Sequence, residues 1–198
     1  MESNQYNIIV FPFTDSLYEM PKKELRAYLK WFVEQIPERL VQLNRVVTST
    51  KGYEDWNADF SQKSLKILSD WFVQAVKHNE QTLKLKKQDD AKYGHTIPEL
   101  MRILCLSYLT QSYCFDVGTY IYKMLVTNVK PDIEWVQDLR NRRNIEFGEP
   151  LIKYSVNAYP ANPIGMVIVT ALRFLDGDPD RITEVYEMIA EWCGEQPE

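Results

Sequence analysis

A chain of 198 residues, of which 45% are hydrophobic and 13% aromatic, has enough apolar side chains to pack a sizeable core, which excludes a disordered protein. The formal net charge of -5 gives no positive field for a phosphate backbone, so we expect no nucleic acid partner. Three cysteines without CxxC spacing exclude a zinc cage and a disulfide framework. Only seven glycines accompany many helix formers, so helix is the favoured state.

The first residues lack the positive and apolar regions of a secretory signal. No apolar segment approaches the roughly 20 residues that span a bilayer. We therefore expect a cytoplasmic protein with no membrane partner. Its acidic balance favours neutral or basic partners.

The chain opens with a short apolar run, residues 8–13, which predicts an edge strand or an arm packed on the body. Apolar residues then recur every three or four positions from Leu25 to Ile36, which predicts a helix with one buried stripe. Pro37 interrupts this pattern, so we expect a kink or a break there before the stripe resumes.

A second helix is predicted after a cap at Asp59 or Ser61, because either side chain can accept a hydrogen bond from a free backbone amide. A central helix follows in the apolar segment 100–126, which has apolar residues on nearly every side. Counted from the capping residue Thr96 to Val126, an unbroken helix would be about 45 Å long, so we expect a break near Gly118.

The pattern changes in the last third of the chain. Residues 133–136 and 145–156 are short alternating or β-branched stretches, separated by the basic turn 140–144, and they predict a hairpin or two strands. Residues 165–175 predict another helix, which Gly177 ends. A last helix follows it.

The predicted fold class is therefore mainly α, a helical bundle-like domain with a small β-hairpin or two short strands in the C-terminal half. We expect residues 1–198 to form a single domain. The alternative is a division into an N-terminal helical half, residues 1–128, and a C-terminal α+β half, residues 129–198.

Tyr53 and Trp56 lie in the first interhelical loop, where aromatic side chains can anchor a partner protein. We predict them as partner-binding residues. The alternative is that they fold back onto the core.

A second candidate site is a pocket between the central helix and the strand region, formed by Asp116, Tyr120, Trp135 and Arg143. Asp116 interrupts an apolar helix, and a buried carboxylate must be paired or hydrogen-bonded. Its alternative role is structural, as a tie to Arg102, Trp135 or a backbone amide.

Catalytic chemistry has little support in the sequence. His78 and His95 have no acidic or cysteine partner at metal-ligand spacing, and the pair Asp89 and Asp90 lies in a polar segment where no burial would raise a pKa. We therefore expect no catalytic residues, no metal site and no cofactor.

Several short motifs occur in a fixed order along the chain. They are Trp31-Phe32, Pro37-Glu38-Arg39, Asp59-Phe60-Ser61, Ser64-Leu65, Asp116-Val117-Gly118-Thr119-Tyr120, Trp135 and Gly148-Glu149-Pro150. In this order they resemble a loose group of uncharacterised bacterial helical proteins, some of which look like immunity proteins of polymorphic or contact-dependent toxin systems. The resemblance implies a protein partner, such as a toxin domain, and offers no catalytic residue to carry over.

These observations predict a non-enzymatic cytoplasmic binding protein of the toxin-neutralising type. The alternative is a small-ligand-binding protein or an enzyme that uses the pocket between the central helix and the strand region. A third alternative is a homo-oligomer subunit, which a large exposed apolar patch would support.

Overall fold

The computed structural model of the protein describes residues 6–13, 16–87, 106–178 and 181–194, with the backbone alone over residues 81–87. In this part of the chain the architecture is mainly α, with five helices and a two-stranded antiparallel sheet in the C-terminal half, which confirms the predicted fold class. Four of the residues named above, Asp89, Asp90, His95 and Arg102, lie outside the described residues.

Helix α1, Lys22–Thr48, is the amphipathic helix that the sequence predicts. Its buried face includes Leu25, Phe32 and Leu43, at the spacing of a single stripe. The helix continues through Pro37, so of the kink or break expected there the break is wrong. Proline removes one backbone donor, but buried side chains anchor the helix on both sides of it, Phe32 and Ile36 in one core cluster and Leu43 and Val47 in another.

Helix α2, Gln62–Lys87, begins at the predicted cap. The hydroxyl of Ser61 accepts a hydrogen bond from the backbone N–H of Ser64 at 3.1 Å, and Asp59 Oδ1 accepts one from the N–H of Ser61 at 2.9 Å. Both residues considered for the cap therefore contribute, and two amides that would have no partner within the helix are satisfied.

Helix α3, Tyr108–Asn128, is the central element, and residues on nearly all its sides are buried. It runs through Gly118 without a break, contrary to expectation. The glycine serves packing instead, because a Cβ at this position would lie 2.8 Å from the Cα of Ile164 in the next helix. Gly118 thus lets two helix backbones approach closely.

The sheet consists of β1, Glu134–Val136, and β2, Leu151–Lys153, paired antiparallel with Trp135 opposite Ile152. The two predicted strand regions are thereby confirmed. Ile152 also bridges to Ala161, which extends the pairing toward the next helix.

Helix α4, Pro163–Asp176, begins where Asn162 Oδ1 accepts the N–H of Gly165 at 2.8 Å. It ends at Gly177, which has a φ of 95°, a left-handed conformation that glycine adopts without strain. Helix α5, Ile182–Gly194, completes the described fold.

The main core cluster draws side chains from all five described helices, including Val47, Phe72, Ile121, Val167 and Ile189. Helix α4 packs on α3 through Gly118, and α5 packs on α2 and α4. This arrangement leaves the outer surface of α4 beside the N-terminal segment, defined here as residues 6–13.

Candidate functional site

A wide apolar groove with a volume of about 1750 Å³ lies on the described surface. The N-terminal segment and α1 form one wall, α4 and α5 form the other, and two loops, residues 145–150 and 158–162, lie between them. Because these elements are far apart in the sequence, only the folded chain assembles the groove.

Aromatic rings form the wall at the N-terminal segment. Phe13 packs edge-on against Tyr28 of α1, with ring centroids 4.7 Å apart, and Phe11 lies 5.8 Å from Trp31. Phe32 is fully buried beneath this wall. The N-terminal run was expected to be either an edge strand or an arm packed on the body, and these contacts show that it is the arm.

The opposite wall carries apolar side chains that face solvent. Val169 of α4 is 42% exposed, and Met188 and Trp192 of α5 are exposed to a similar degree. Ile145 and Tyr159 of the intervening loops are more exposed still. Because exposed apolar side chains gather in one concave feature, the groove is the candidate binding surface.

Helix α4 explains why this wall is apolar. One face of α4 buries Val167, Ala171 and Phe174 in the core, whereas Ile168 and Val169 line the groove. A helix that is apolar on more than one face is normally covered on all of them. The largely apolar sequence of residues 165–175 is therefore a signal for the groove, which sequence reasoning used only to predict a helix.

A carboxyl group, Glu149, lies in this apolar surrounding. It follows Gly148, whose φ of 79° is left-handed and whose absent Cβ would lie 2.9 Å from Leu25 Cδ2. The N–H of Gly148 donates to Asp138 O at 3.2 Å, and its carbonyl accepts from Gln137 Nε2 at 2.7 Å. Glu149 is therefore held in place by a backbone fixed on both sides.

The electrostatic surrounding of Glu149 is unfavourable to a negative charge. Burial and, secondarily, the neighbouring carboxylate of Glu146 raise the pKa of Glu149 to about 7. Among the described residues, no basic side chain forms an ion pair with it. The nearest wall contributes Tyr28, whose pKa burial also raises, so that its phenol is neutral. Glu149 is thus a half-buried carboxyl to which no basic residue of the described part of the chain is paired.

Arg173, Arg181 and Glu184 line the groove at α4 and α5. The charges along the groove are consequently divided, since Arg173 lies in α4 and Arg181 immediately precedes α5, whereas Glu146 and Glu149 belong to the loop that precedes β2. Sequence reasoning named Gly148-Glu149-Pro150 as a landmark but did not place Glu149 in a site.

Asp116 has a different role from that of a pocket residue. Its carboxylate accepts two hydrogen bonds from Arg39, from Nε to Oδ1 at 2.7 Å and from Nη2 to Oδ2 at 2.9 Å. The hydroxyl of Tyr6 donates to Oδ2 at 2.5 Å and accepts from Arg39. The structural alternative considered for Asp116 therefore holds, and the tie is to Arg39 and Tyr6 and not to the expected Trp135, while Arg102 lies outside the described residues.

The three groups form a fully satisfied buried network. Burial raises the pKa of Asp116 to about 6, and the opposing effect of the Arg39 guanidinium keeps the carboxyl ionised at neutral pH. Burial, together with the charge of Asp116, raises the pKa of Tyr6, so its phenol is a neutral donor. Arg39 was discoverable in the sequence, because it falls on the apolar stripe of α1 three residues after Ile36 and four before Leu43.

The other three predicted pocket residues do not line the groove either. Tyr120 is buried, accepts the N–H of Phe60 at 3.1 Å and bonds Ser64 Oγ at 2.7 Å, so it supports the start of α2. Trp135 packs against the ring of Phe32 at 4.7 Å. Arg143 lies exposed in the basic turn. The structure does not gather these side chains into one site.

The predicted partner-binding residues occupy two different environments. Trp56 is only 5% exposed and donates from Nε1 to Ser64 O at 2.9 Å, as in the alternative that it folds back onto the core. Tyr53 is half-buried, and its hydroxyl accepts from Gln74 Nε2 at 2.7 Å. Both border a small depression of about 270 Å³ that is separate from the groove.

The described residues contain no group of three or more His, Cys, Asp or Glu side chains close enough to hold a metal ion. None of the described helices is both long and apolar enough to cross a bilayer. Comparisons with protein-family models, with curated proteins and with solved structures gave no match for this chain.

Proposed function

We propose that this chain is a non-enzymatic cytoplasmic binding protein that holds an apolar segment of a partner protein in the groove. The observation that carries the proposal is the exposure of contiguous apolar side chains on both walls, including Phe11 and Val169. Burying such a surface against a partner is favourable by roughly 25 cal/mol per Å² of apolar area.

The size of the groove favours a protein segment over a small molecule. Small-molecule pockets commonly enclose about 300–1,000 Å³. This groove, at about 1750 Å³, is larger and open along its length. An amphipathic helix that lays its apolar face in a groove is a recurring mode of protein recognition.

The proposal extends to a partner-neutralising protein, with a toxin domain as the partner, on the strength of the motif order described above. The acidic balance of the chain, with a net charge of -5, supports a basic partner, because opposite net charge speeds association.

The alternative is a receptor or enzyme for a small apolar ligand with a positively charged group. The specific observation in its favour is Glu149, whose raised pKa is typical of carboxyl groups in functional clefts. The pocket once expected around Asp116 offers no such support, because Arg39 and Tyr6 occupy both of its carboxylate oxygens.

The test compares a groove variant with a matched surface variant. Val169→Glu places a charge in the groove, whereas Val41→Glu places one on the face of α1 outside it, and the two valines are 42% and 50% exposed. Both tagged variants and the wild type are purified from the cells that make the protein, and co-purifying proteins are quantified by mass spectrometry.

A partner that the wild type and Val41→Glu retain equally, and that Val169→Glu loses at least tenfold, supports the proposal. Equal retention by all three contradicts the groove assignment. If no protein co-purifies and native mass spectrometry shows a bound small molecule, the alternative replaces the proposal. Light scattering on the same samples tests self-association through the groove.

A further inference from the structure

Glu149 stands out among the polar groups of the groove because it is rigidly placed, half-buried and without an ion-pair partner among the described residues. We propose that Glu149 is the anchor for one positively charged side chain, a lysine or an arginine, carried on the apolar segment that occupies the groove. This inference rests on the proposed function and specifies the chemistry of the occupant.

The placement of Glu149 is fixed before any partner binds. Gly148 lies closer to Leu25 of α1 than a residue with a Cβ could, and its backbone forms two hydrogen bonds, one with Asp138 and one with Gln137. On the other side, Pro150 is buried and leads directly into β2. A carboxyl held on such a support loses little conformational freedom on binding.

The groups that face Glu149 leave its charge uncompensated. Tyr28 presents a neutral phenol, and Glu146 adds a like charge. A carboxylate in an apolar surrounding is costly unless it is paired. A cationic side chain from the occupant would remove this cost, and it would also be attracted by Glu146.

Charge complementarity places the cation at this position in the groove. On the side of the α4 and α5 wall, Arg181 immediately before α5 would repel a positive side chain, although Glu184 reduces the effect. The loop before β2 carries Glu146 and Glu149 without a basic residue among the groove-lining positions 145–150. The cation of the occupant is therefore directed to Glu149.

The test uses two probe peptides of about 18 residues, long enough to form a helix. Each has a leucine and alanine face and a neutral polar face. One position in the middle of the apolar face is lysine in the first peptide and acetyl-lysine in the second, so that the stem is kept and the charge is removed. Affinities are measured by fluorescence anisotropy at about pH 8, where the carboxyl of Glu149 is ionised.

We expect the wild type to bind the lysine peptide about tenfold more tightly than its neutral counterpart, as for a hydrogen bond between charged groups. Glu149→Gln should reduce this preference below about twofold with little change in affinity for the neutral peptide. The matched control is Glu54→Gln, since Glu54 lies in the separate depression and not in the groove. It should keep the full preference.

The outcomes separate the two proposals. Equal binding of both peptides by the wild type, or a preference that survives Glu149→Gln, overturns the role of Glu149 and leaves the groove as a binding surface. If neither peptide binds the wild type, or if Val169→Glu binds both as well as the wild type does, the proposed function itself fails for this class of occupant. Circular dichroism confirms that each variant is folded.

Discussion

Arg39 and Asp116, which are 77 positions apart, face each other in the interior through two parallel hydrogen bonds of 2.7 and 2.9 Å. Tyr6 completes the network, and Arg39 also donates from Nη1 to the carbonyl of Asn7 at 2.6 Å. The same ion pair therefore joins α1 to α3 and fixes the N-terminal segment to both. Since Phe11 and Phe13 of that segment line the groove, the network supports the groove from a distance.

Breaking this pair should strongly destabilise the fold. Asp116→Asn leaves the Arg39 guanidinium buried without a countercharge, and we expect the free energy of unfolding to fall by about 3–5 kcal/mol. Urea denaturation measures the change. The exposed Asp132→Asn, which touches only the weak surface pair with Lys130, should change stability by less than about 0.5 kcal/mol. The double variant Arg39→Met/Asp116→Leu removes both charges, so it should be more stable than the summed losses of its two single variants predict. A double variant that loses the full sum would contradict this account.

Tyr6→Phe should release the N-terminal segment while leaving the body folded. The substitution removes the hydroxyl that donates to Asp116 but keeps the ring, which packs against Tyr113 at 4.8 Å. We expect a stability loss of about 1–2 kcal/mol. Hydrogen exchange should accelerate in residues 6–13 and not in α3. Tyr108→Phe, at an exposed tyrosine, is the control, and unchanged exchange in residues 6–13 would refute the coupling.

A comparison of two left-handed glycines, Gly148 and Gly52, measures the cost in stability of the close contact between Gly148 and Leu25. Gly148 and Gly52 both have left-handed φ values, 79° and 92°, but a Cβ at Gly52 would meet nothing within 4 Å. Gly52→Ala should cost about 1 kcal/mol from the backbone alone. Gly148→Ala should cost at least about 1 kcal/mol more, because the new methyl would press on Leu25. Equal losses in thermal denaturation would show that the neighbouring side chain yields freely.

Gly118 offers a similar comparison within helices. Gly118→Ala would place a methyl against the backbone of Ile164, which cannot move without displacing α4, so we expect a loss of about 2–3 kcal/mol despite alanine's better helix propensity. Gly194→Ala, at the end of α5 with nothing within 4 Å, should be neutral or slightly stabilising. A neutral Gly118→Ala in urea denaturation would mean that α3 and α4 lie further apart than described.

The pH dependence of stability should reveal the titration of the Glu149 carboxyl. Its pKa in the folded protein is about 7, above the ordinary value of 4.5, so the folded state holds this proton more tightly than the unfolded state. The contribution of Glu149 to stability is therefore most favourable below about pH 4.5 and declines as the pH rises to about 7. Glu149→Gln should stabilise the protein by about 1–2 kcal/mol at about pH 8 and should have little effect at about pH 4. The effect at about pH 8 is smaller than the full pKa difference would give, because the carboxyl borders an open groove.

The measurement is the difference in melting temperature between Glu149→Gln and the wild type across this pH range. Taking the difference cancels the contribution of Asp116, which titrates in the same direction. Glu54→Gln provides the background for a glutamate outside the groove. A difference that does not change with pH would mean that the carboxyl of Glu149 is fully hydrated.

Local patterns predicted the elements of the fold well, because caps and periodicity act over a few residues. Gly177 ends α4 as expected, and Trp135 lies in a strand that the alternation indicated. The two expected breaks failed for one reason: at Pro37 and Gly118, long-range packing against other helices outweighs local helix propensity. Propensity rules carry no information about such partners.

The candidate site was much less predictable. The groove unites residues from Phe11 to Trp192, so no window of the sequence displays it. Asp116 was correctly recognised as a polar residue in an apolar helix, but its partner required the knowledge that α1 and α3 are adjacent. The sequence does point to that partner, since Arg39 lies on the apolar stripe of α1 at a position where a leucine would be expected.

The position of the N-terminal segment has a practical consequence for handling this protein. Because Phe11 and Phe13 form part of the groove, a bulky affinity tag or fluorescent fusion at the amino terminus would be joined to a segment that forms one wall of it. A truncation that removes residues 6–13 would alter that surface as directly as a point substitution. Trp192 lies near the end of α5 and lines the groove as well, so a label at either terminus should be removed or compared with an untagged sample before affinities are interpreted.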